Sequence, residues 1–485
     1  MELNFDRLTK LMYTDCCAIG LQTKEIQSLM SAEKSNYGEF IHNRAETLLS
    51  QIKVEKPQLV MHDVKRGLRN ADGTGVMAGV TSIGSTQGYY MRDGEKTAME
   101  GKLYYRGINV ADIVDGFLKD GRPGFEETAY LLILGKLPSI PELETFRLML
   151  EDYRELPKGF TEDMILPAPS VNIMNKISRS ILALYSYDDE PETDERYLER
   201  ELYKALRLLA CCPIAVAHAY AAKRHYFDGE GLYLHRSQPG YSMAENFLHS
   251  VRRDNSFTEE EARLLDLCMV LHAEHGGGNN SAFACRVLTS SGTDIYSAIS
   301  AAIGSLKGPR HGGANEKVID MFSYIKRDVK NWKDEDEISA YLDKILKGEA
   351  ASGDGLIYGM GHAVYTISDP RAVILKELAR SLAEKKGMLE ELELLESVEK
   401  LAPYALGRAK GMEKAEICAN VDMYSGLVYE MLGIPQELYT PLFAVARMAG
   451  WCAHRLEEAW GGGRIIRPAY KAIALDEEYV PLAKR

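Results

Sequence analysis

Two histidines in glycine-rich stretches and one isolated aspartate are the residues of this sequence best suited to chemistry. His311 lies in Gly-Pro-Arg-His-Gly-Gly-Ala-Asn (308–315), and His362 lies in Gly-Met-Gly-His-Ala-Val-Tyr (359–365). Asp422 follows Asn-Val at the start of a helical pattern. Histidine titrates nearest neutral pH and a carboxylate can accept a proton, so all three are candidates for proton transfer. Taken singly, each also fits an ordinary role, as a turn residue or, for Asp422, a helix cap.

The stretch around His311 predicts a tight joint between two helices. Apolar residues at helical spacing precede it, and Gly308-Pro309 ends that first helix because proline cannot continue the hydrogen-bond ladder. Asn315 is a candidate cap for the helix that follows. The flanking glycines leave room for a ligand, and a helix N-terminus just beyond favours negative charge nearby.

A second pair of histidines raises the possibility of a metal site. His272 and His275 are three residues apart near the end of a predicted helix and precede a glycine run. Such spacing can bind a metal, but a site needs further ligands, and neither a His-Glu-x-x-His order nor a nearby cysteine or acid cluster supplies them. A polar pair with one member directed into a pocket is the favoured interpretation, and no metal is expected.

Two arginines occupy positions where a cation is unusual. Arg371 follows Asp369-Pro370, the predicted cap and first turn of a helix, where the helix dipole disfavours positive charge. A surface salt bridge is the ordinary explanation. Arg447 interrupts the apolar region of the last long predicted helix. The chain carries a formal net charge of −13, so an anionic substrate requires arginines that are concentrated locally.

Composition restricts the class of protein. With 485 residues, 46% hydrophobic and 27% charged, the chain is expected to be globular, with two or more lobes. Its acidity argues against nucleic-acid binding through bulk positive charge. We find no signal-peptide layout, no membrane-spanning run and no disulfide or zinc framework among the eight cysteines. The expectation is a cytoplasmic protein that binds neither nucleic acid nor membrane.

Periodicity predicts an all-α, multi-helical fold with minor β structure near residues 88–107. Asp93-Gly94 is suitable for the turn of a small hairpin there, and residues 1–60 predict polar helices. The run from Leu206 to Ala222 predicts a buried helix. Gly73, Gly75 and Ala78 match only a loose dinucleotide fingerprint, which no strand precedes.

The motifs are most informative as an ordered set. Besides the three stretches above, the chain contains His-Ala-Glu-His (272–275), Asp-Pro-Arg (369–371), Arg447 with Gly-Trp, and Arg467 with Pro468. Together they closely resemble the citrate synthase family, from about Gly75 to Arg467. The resemblance is weaker over the first sixty residues and around 226–239.

The resemblance implies an acyltransferase that condenses acetyl-CoA with oxaloacetate and hydrolyses citryl-CoA, without a cofactor. Abstracting a proton from a thioester methyl group needs a carboxylate base, and a donor must stabilise the oxygen that gains charge. By resemblance Asp422 is this base, His311 is the donor to the thioester oxygen, and His362 is the donor to the ketone oxygen.

The resemblance also implies binding residues and assembly. Oxaloacetate is expected to contact His275, Arg371, Arg447 and Arg467, the last supplied by the neighbouring subunit of a homodimer. CoA is expected along Tyr358, Gly359, Met360, Gly361 and Ala363. The implied fold has a large domain, residues 1–312 and 428–485, and a small domain, 313–427, whose closure excludes water.

One departure and three alternatives remain at this level. Many family members carry a basic residue near the CoA phosphates where this chain has Thr366, so Lys307, Arg310 or another cation is expected to substitute. A 2-methylcitrate synthase using propionyl-CoA has the same catalytic residues, and one methylene contributes only ~1–3 kcal/mol. An inactive helical scaffold and a metal-dependent hydrolase using His272 and His275 are the readings outside this activity.

Overall fold

The structure is a computed structural model in which residues 44–45, 61, 63–70, 72–92, 95–190, 198–473 and 477–484 are described. The polar helices predicted for residues 1–60 and the predicted turn at Asp93-Gly94 lie almost wholly or wholly outside these residues. Two compact units are distinguished by their internal contacts: residues up to Ala78 together with 468–485, and residues Gly79–Arg467. The predicted boundaries of the large and small domains are not tested by this division and stay a prediction.

The β structure is a three-stranded antiparallel sheet in the order β1-β2-β3, with strands β1 (Gly84–Arg92), β2 (Glu95–Tyr105) and β3 (Ile108–Asn109). Gly84 pairs with Tyr105, and the register shifts between Gln87 and Tyr89. The hairpin predicted near residues 88–107 is confirmed, and it begins four residues earlier than expected.

The remaining regular structure is helical, which confirms the all-α prediction. The α-helices are α1 (Val110–Asp120), α2 (Phe125–Leu134), α3 (Ile140–Asp152), α4 (Ile173–Ala183), α5 (Leu198–Phe227), α6 (Met243–Val251), α7 (Glu259–His272), α8 (Asn280–Thr289), α9 (Ile295–Leu306), α10 (Ala314–Asp328), α11 (Glu335–Leu346), α12 (Pro370–Lys386), α13 (Leu389–Lys410), α14 (Asp422–Met431) and α15 (Tyr439–Trp460). Short helical turns cover Arg66–Leu68, Thr161–Ile165, Leu184–Tyr187, Gln436–Leu438 and Leu482–Lys484.

Helix α15 is the centre of the core. Its residues from Tyr439 to Arg455 are buried, and it packs against α2, α5, α7, α8 and α9. The apolar helix α5 is long and apolar enough to cross a membrane by length and composition, but 83% of its most apolar window is buried inside the protein. The predicted buried helix is therefore confirmed. Both α7, which ends at His272, and α15 are thus held by apolar packing on several sides.

Local signals predicted most helix ends correctly, with one error near the site. Helix α12 begins at Pro370 with Asp369 as its cap and ends at Lys386, where the C-cap Gly387 has a φ of 69°. The prediction that Asn315 caps α10 is wrong. The helix begins at Ala314 after Gly313, and Asn315 is buried within its first turn.

Candidate active site

His311 is held in a compact turn between α9 and α10. The Gly312 amide donates to the Leu306 carbonyl (2.9 Å), and a Cβ at Gly312 would lie 2.7 Å from that side chain, so the turn requires glycine. Burial, reinforced by the charge of Arg447, lowers the pKa of His311 to about 4. The imidazole is therefore neutral at pH 7 and can donate one proton in a hydrogen bond.

Ser281 fixes the orientation of the His311 ring. Its Oγ lies 3.0 Å from His311 Nε2 and 2.9 Å from Asn279 Oδ1, and it accepts the indole N–H of Trp451 (3.1 Å). The hydroxyl has a single proton, and when it donates that proton to Nε2 the neutral ring carries its own proton on Nδ1. Within the described part of the chain, His311 Nδ1 has no such partner and is the ring nitrogen available to a ligand. Sequence reasoning missed Ser281, although it directly follows the Gly-Gly-Gly-Asn-Asn run.

The His362 loop is fastened to the segment that precedes Asp422. Met360 forms an isolated antiparallel bridge with Ala419, and the Gly361 amide donates to the Cys418 carbonyl (2.8 Å). The Asn420 amide donates to the Gly359 carbonyl (2.9 Å). These contacts bring two stretches that are sixty residues apart in sequence to the same place.

The backbone around His362 selects the tautomer of its ring. Nδ1 accepts the amide N–H groups of Val364 (3.0 Å) and Tyr365 (3.1 Å). A neutral ring must then carry its proton on Nε2, which makes Nε2 a donor. The ring also stacks on Tyr365 at a centroid distance of 4.5 Å, which keeps it in place.

Asp422 is the first residue of α14, but it is not the cap that the ordinary interpretation suggested. The Asn420 side chain performs that role, accepting the Asp422 backbone N–H at 3.0 Å. The Asp422 carboxylate has no hydrogen-bond partner within the described residues. Burial raises its pKa to about 6, although Arg371 and Arg447 oppose the shift. This carboxylate can accept a proton near neutral pH.

Arg371 is buried and paired with Asp369, so the surface salt bridge suggested for it is wrong. Its Nε and Nη2 donate to the two carboxylate oxygens of Asp369 at 3.0 and 2.7 Å, and only 4% of the residue is exposed. Burial acts to lower the pKa of Arg371, but Asp369 more than reverses this and raises it. The pair presents a rigid guanidinium whose Nη1 makes no hydrogen bond with the residues that the structure describes.

Arg447 and His275 complete the cluster. Arg447 is completely buried, donates from Nε to the His272 carbonyl (2.6 Å), and has no partner for Nη1 or Nη2 within the described chain. His275 lies 5.0 Å from His362 between ring centroids, and its Nε2 is likewise unpartnered. Burial lowers the pKa of His275 well below its usual value, and the charges of Arg371 and Arg447 add to this effect.

Arg467 is not among the residues that the chain brings together here. It is exposed in the extended segment after α15.

The stretch predicted to lie along CoA is accessible in part: Ala363 is exposed, and the Tyr358 hydroxyl donates a hydrogen bond to Asp354 at 2.6 Å. Thr366 Oγ1 is buried without a partner in the described chain, whereas Lys307 and Arg310 are exposed.

The His272 side chain forms a hydrogen bond with a main-chain carbonyl. Its Nδ1 lies 2.7 Å from the Cys268 carbonyl of the same helix, and the residue is almost completely buried. Burial lowers its pKa to about 3. In the described ranges no three or more His, Cys, Asp or Glu side chains are grouped so that they could hold a metal ion.

The hairpin supports the His362 loop in a way that the sequence did not indicate. A Cβ at Gly88 would lie 2.6 Å from the Val364 carbonyl, and one at Gly101 would overlap the Ser368 carbonyl. The Tyr365 hydroxyl donates to the Lys102 carbonyl (3.2 Å). Two glycines therefore allow the sheet to lie directly against the loop.

Neutral imidazoles, an unpaired carboxylate and buried arginines among helices are typical of an enzyme that acts on an anionic substrate by proton transfer. Comparison with known proteins identifies the family of this enzyme. The family described as "Citrate synthase, C-terminal domain" matches residues 72–469, and the chain belongs to the citrate synthase family. A citrate synthase from Synechocystis sp. is 36% identical over 394 residues, covering 80% of this chain and 89% of the relative.

Two further relatives define how closely the chain fits. A 2-methylcitrate synthase from Shewanella oneidensis is 29% identical over 385 residues, covering 79% of this chain and 92% of the relative. The solved ternary complex of carboxymethyl coenzyme A and oxaloacetate with the citrate synthase from Thermoplasma acidophilum aligns with a TM-score of 0.69 at 25% identity, covering 87% of this chain and 99% of that chain. The family, fold and enzyme class predicted from the motifs are confirmed.

Proposed function

We propose that this enzyme condenses acetyl-CoA with oxaloacetate, and that Asp422 is the base. Asp422 takes a proton from the methyl carbon of the thioester, while His311 donates a hydrogen bond to the oxygen that becomes enolic. The methyl carbon then bonds to the ketone carbon of oxaloacetate. His362 donates from Nε2 to the ketone oxygen, which takes up one proton and becomes the hydroxyl of citryl-CoA, while Asp422 gives up the proton that it removed, so the step is balanced. Water cleaves the thioester, releasing citrate and the CoA thiol.

The observation that carries this proposal is the Asp422 carboxylate, which has no hydrogen-bond partner among the described residues and a raised pKa, together with the donor His311, whose pKa is lowered. A base with a pKa of about 6 is largely ionised at pH 7 yet holds a proton far better than an ordinary aspartate. A lowered pKa keeps the donor His311 neutral, so it stabilises developing negative charge without giving up a full proton.

The same cluster suits a dicarboxylate. We assign one carboxylate of oxaloacetate to the unpartnered nitrogens of Arg447, and the other to Arg371 and His275. Guanidinium groups bind carboxylates with two parallel hydrogen bonds. The two terminal nitrogens of Arg447 are buried and have no partner in the described chain, so they favour this ligand. CoA is proposed to lie along Tyr358–Ala363.

The reaction is tested by the release of free CoA thiol from acetyl-CoA and from propionyl-CoA, each with oxaloacetate. We expect a higher kcat/KM with acetyl-CoA. A preference for propionyl-CoA would assign the chain to the 2-methylcitrate activity of its Shewanella relative. Absence of thiol release with both thioesters, from a folded protein, would contradict the proposed function.

Assembly is a separate proposal: a cytoplasmic homodimer in which Arg467 reaches the partner's site. The exposure of Arg467, away from the cluster in its own chain, is compatible with this role. An Arg467→Ala enzyme and an Asp422→Asn enzyme, each nearly inactive, should regain partial activity when unfolded, mixed and refolded together. A mixed dimer would contain one site with both defects and one with neither. If mixed dimers form and stay inactive, Arg467 does not act across the interface.

A further inference from the structure

Glu274, between His272 and His275 in sequence, lies in a slot that the chain leaves open for its side chain. A Cβ at Gly84 of β1 would lie 2.7 Å from Glu274 Cγ, and a Cβ at Gly450 of α15 would overlap Glu274 Oε2. The residue has no exposed surface. Two glycines from different elements thus make room for a buried carboxylate, which is a costly group to bury unless its charge is used.

The hydrogen bonds of Glu274 keep it ionised. Oε1 accepts the Gly276 amide (2.5 Å) and the Nε2–H of His454 (2.8 Å). His454 Nδ1 accepts from Arg286 Nη2 (2.7 Å), so a neutral His454 must carry its proton on Nε2. Burial alone would raise the pKa of Glu274, but His454 and Arg447 lower it below the ordinary value.

Arg447 needs such a negative charge nearby. Burial lowers its pKa to about 10, and Glu274 opposes this shift more strongly than any other group. Yet no hydrogen bond joins the two in the described chain: Arg447 Nη1 and Nη2 and Glu274 Oε2 all lack partners. The charge of Arg447 is therefore balanced at a distance, and its terminal donors are not consumed.

We infer that Glu274 is a positioning residue that acts through Arg447, balancing its charge while leaving both terminal nitrogens free for a substrate carboxylate. The inference rests on the proposed function, in which Arg447 binds oxaloacetate. It makes Glu274 a regulator of affinity: its negative charge also repels the dianion that Arg447 attracts. Glu274 limits how tightly the substrate is held, so that it can be released.

The test is the effect of Glu274→Gln on oxaloacetate affinity, measured by calorimetry at pH 7. Glutamine keeps the volume and the acceptor for Gly276 and His454 but removes the charge. Without ligand the melting temperature should fall, because Arg447 is then a buried charge without a counter-charge. The Kd for oxaloacetate should fall about five-fold or more, because the dianion no longer meets a nearby carboxylate. Oxaloacetate should also raise the melting temperature more than in the parent.

Two further variants separate charge from structure. Glu201→Gln is the matched control, since Glu201 is equally buried but paired with Arg455 at 2.9 Å, on α5 and α15. It should lower the melting temperature and leave the Kd unchanged. Glu274→Asp keeps the charge and should not tighten binding. A Kd that is unchanged or higher in Glu274→Gln, or lowered equally by Glu274→Asp, would overturn the inference, because a purely structural residue gives those results.

Failure of the proposed function is recognised separately, in the parent enzyme. If the parent binds no oxaloacetate, the proposed function fails; if it binds and only the sign in Glu274→Gln is wrong, this inference alone fails. Should Glu274→Gln not fold on its own, it is refolded with oxaloacetate or with sodium chloride at equal ionic strength. Recovery with oxaloacetate but not with sodium chloride supports the counter-charge role. Failure to recover with either one contradicts it.

Discussion

Asp369 and Asp422 are the same residue type at the start of two packed helices, α12 and α14, yet their surroundings are opposite. Asp369 is almost completely buried and uses both oxygens: it caps α12 at the Arg371 amide (3.0 Å) and binds the guanidinium of Arg371. Asp422 makes no side-chain hydrogen bond within the described chain, and burial raises its pKa to about 6. One carboxylate holds the structure, and the other is left reactive.

The difference teaches how an aspartate at a helix start can be kept free. A helix N-terminus leaves amide groups that attract a carboxylate oxygen and lower its pKa. At α14 the Asn420 side chain accepts the Asp422 amide and satisfies that donor first. Asp422 is then not required as a cap, and burial can raise its pKa without a compensating bond.

Asp422→Asn should have the largest effect on turnover. Asparagine has nearly the same shape but cannot accept the proton, so we expect kcat to fall by ~10²–10⁴ or more. Oxaloacetate binding should persist in calorimetry, because Arg371, Arg447 and His275 are unchanged. The melting temperature at pH 7 should rise, since an ionised carboxylate that is costly to bury is removed. Turnover within about ten-fold of the parent would end the assignment of Asp422 as the base.

Protonation of Asp422 at low pH should lower the activity of the enzyme and raise its stability to unfolding. As the pH falls through about 6, Asp422 takes up a proton and kcat/KM should decline about ten-fold per unit. The folded pKa lies above the unfolded value of about 4, so this group favours folding fully below pH ~4 and loses that contribution as the pH rises through about 6. Parallel pH titrations of kcat/KM and of urea unfolding, with Asp422→Asn as the reference, measure both. A limb that persists in the residual activity of that variant belongs to another group.

Asp369→Asn should show the reverse pattern and a smaller effect on turnover. The amide still caps α12, but Arg371 becomes a buried cation without its partner, which typically costs ~3–5 kcal/mol of stability. Chemical denaturation should detect that loss, with kcat reduced by less than about ten-fold because Asp369 is not among the groups assigned to proton transfer. A loss of kcat as large as that of Asp422→Asn would remove the distinction between the two aspartates.

Asn420→Ala tests the explanation for the difference, with the smallest effect. Loss of the cap should cost ~0.5–2 kcal/mol in the free energy of unfolding. The Asp422 carboxylate can then turn to its own helix terminus, so its pKa and the acid limb of kcat/KM should move to lower pH. Asn420→Asp restores a cap and serves as the control for stability. An acid limb that does not move in Asn420→Ala would mean that Asn420 has no part in keeping Asp422 free.

Local signals predicted the helices and the hairpin, whereas the family and the residues proposed for the site followed from the resemblance of the motifs taken as an ordered set. Glycine, proline and histidine spacing placed His311 and His362 on loops, and Asp369-Pro370 placed a helix start. Partners distant in sequence were not predictable. Nothing near Arg371 distinguishes a surface ion pair from a buried one, since its burial depends on packing by other helices.

Three supporting features also depend on such long-range contacts. The close approach of Gly88 and Gly101 to the His362 loop, the bond of Ser281 to His311 and the slot around Glu274 each join segments that are distant along the chain. The Asn315 error has a local cause: the tight turn at Gly312 carries the chain into the helix two residues earlier than a side-chain cap at Asn315 would require.

The backbone pairing of residues 359–361 with 418–420 has a consequence for how the parts of the site are held together. Because the two backbones share hydrogen bonds, the loop that carries His362 is joined directly to the segment that leads into Asp422. His311 is held by a different set of contacts, through Ser281 to Trp451 of α15. Under the proposed roles, we therefore expect the ketone donor and the base to keep a fixed spacing from each other, while the thioester donor depends on a separate contact. If that separate contact were lost, the site would keep a ketone donor and a base but lack the donor that stabilises the enol, so we expect it to remove the proton of acetyl-CoA poorly.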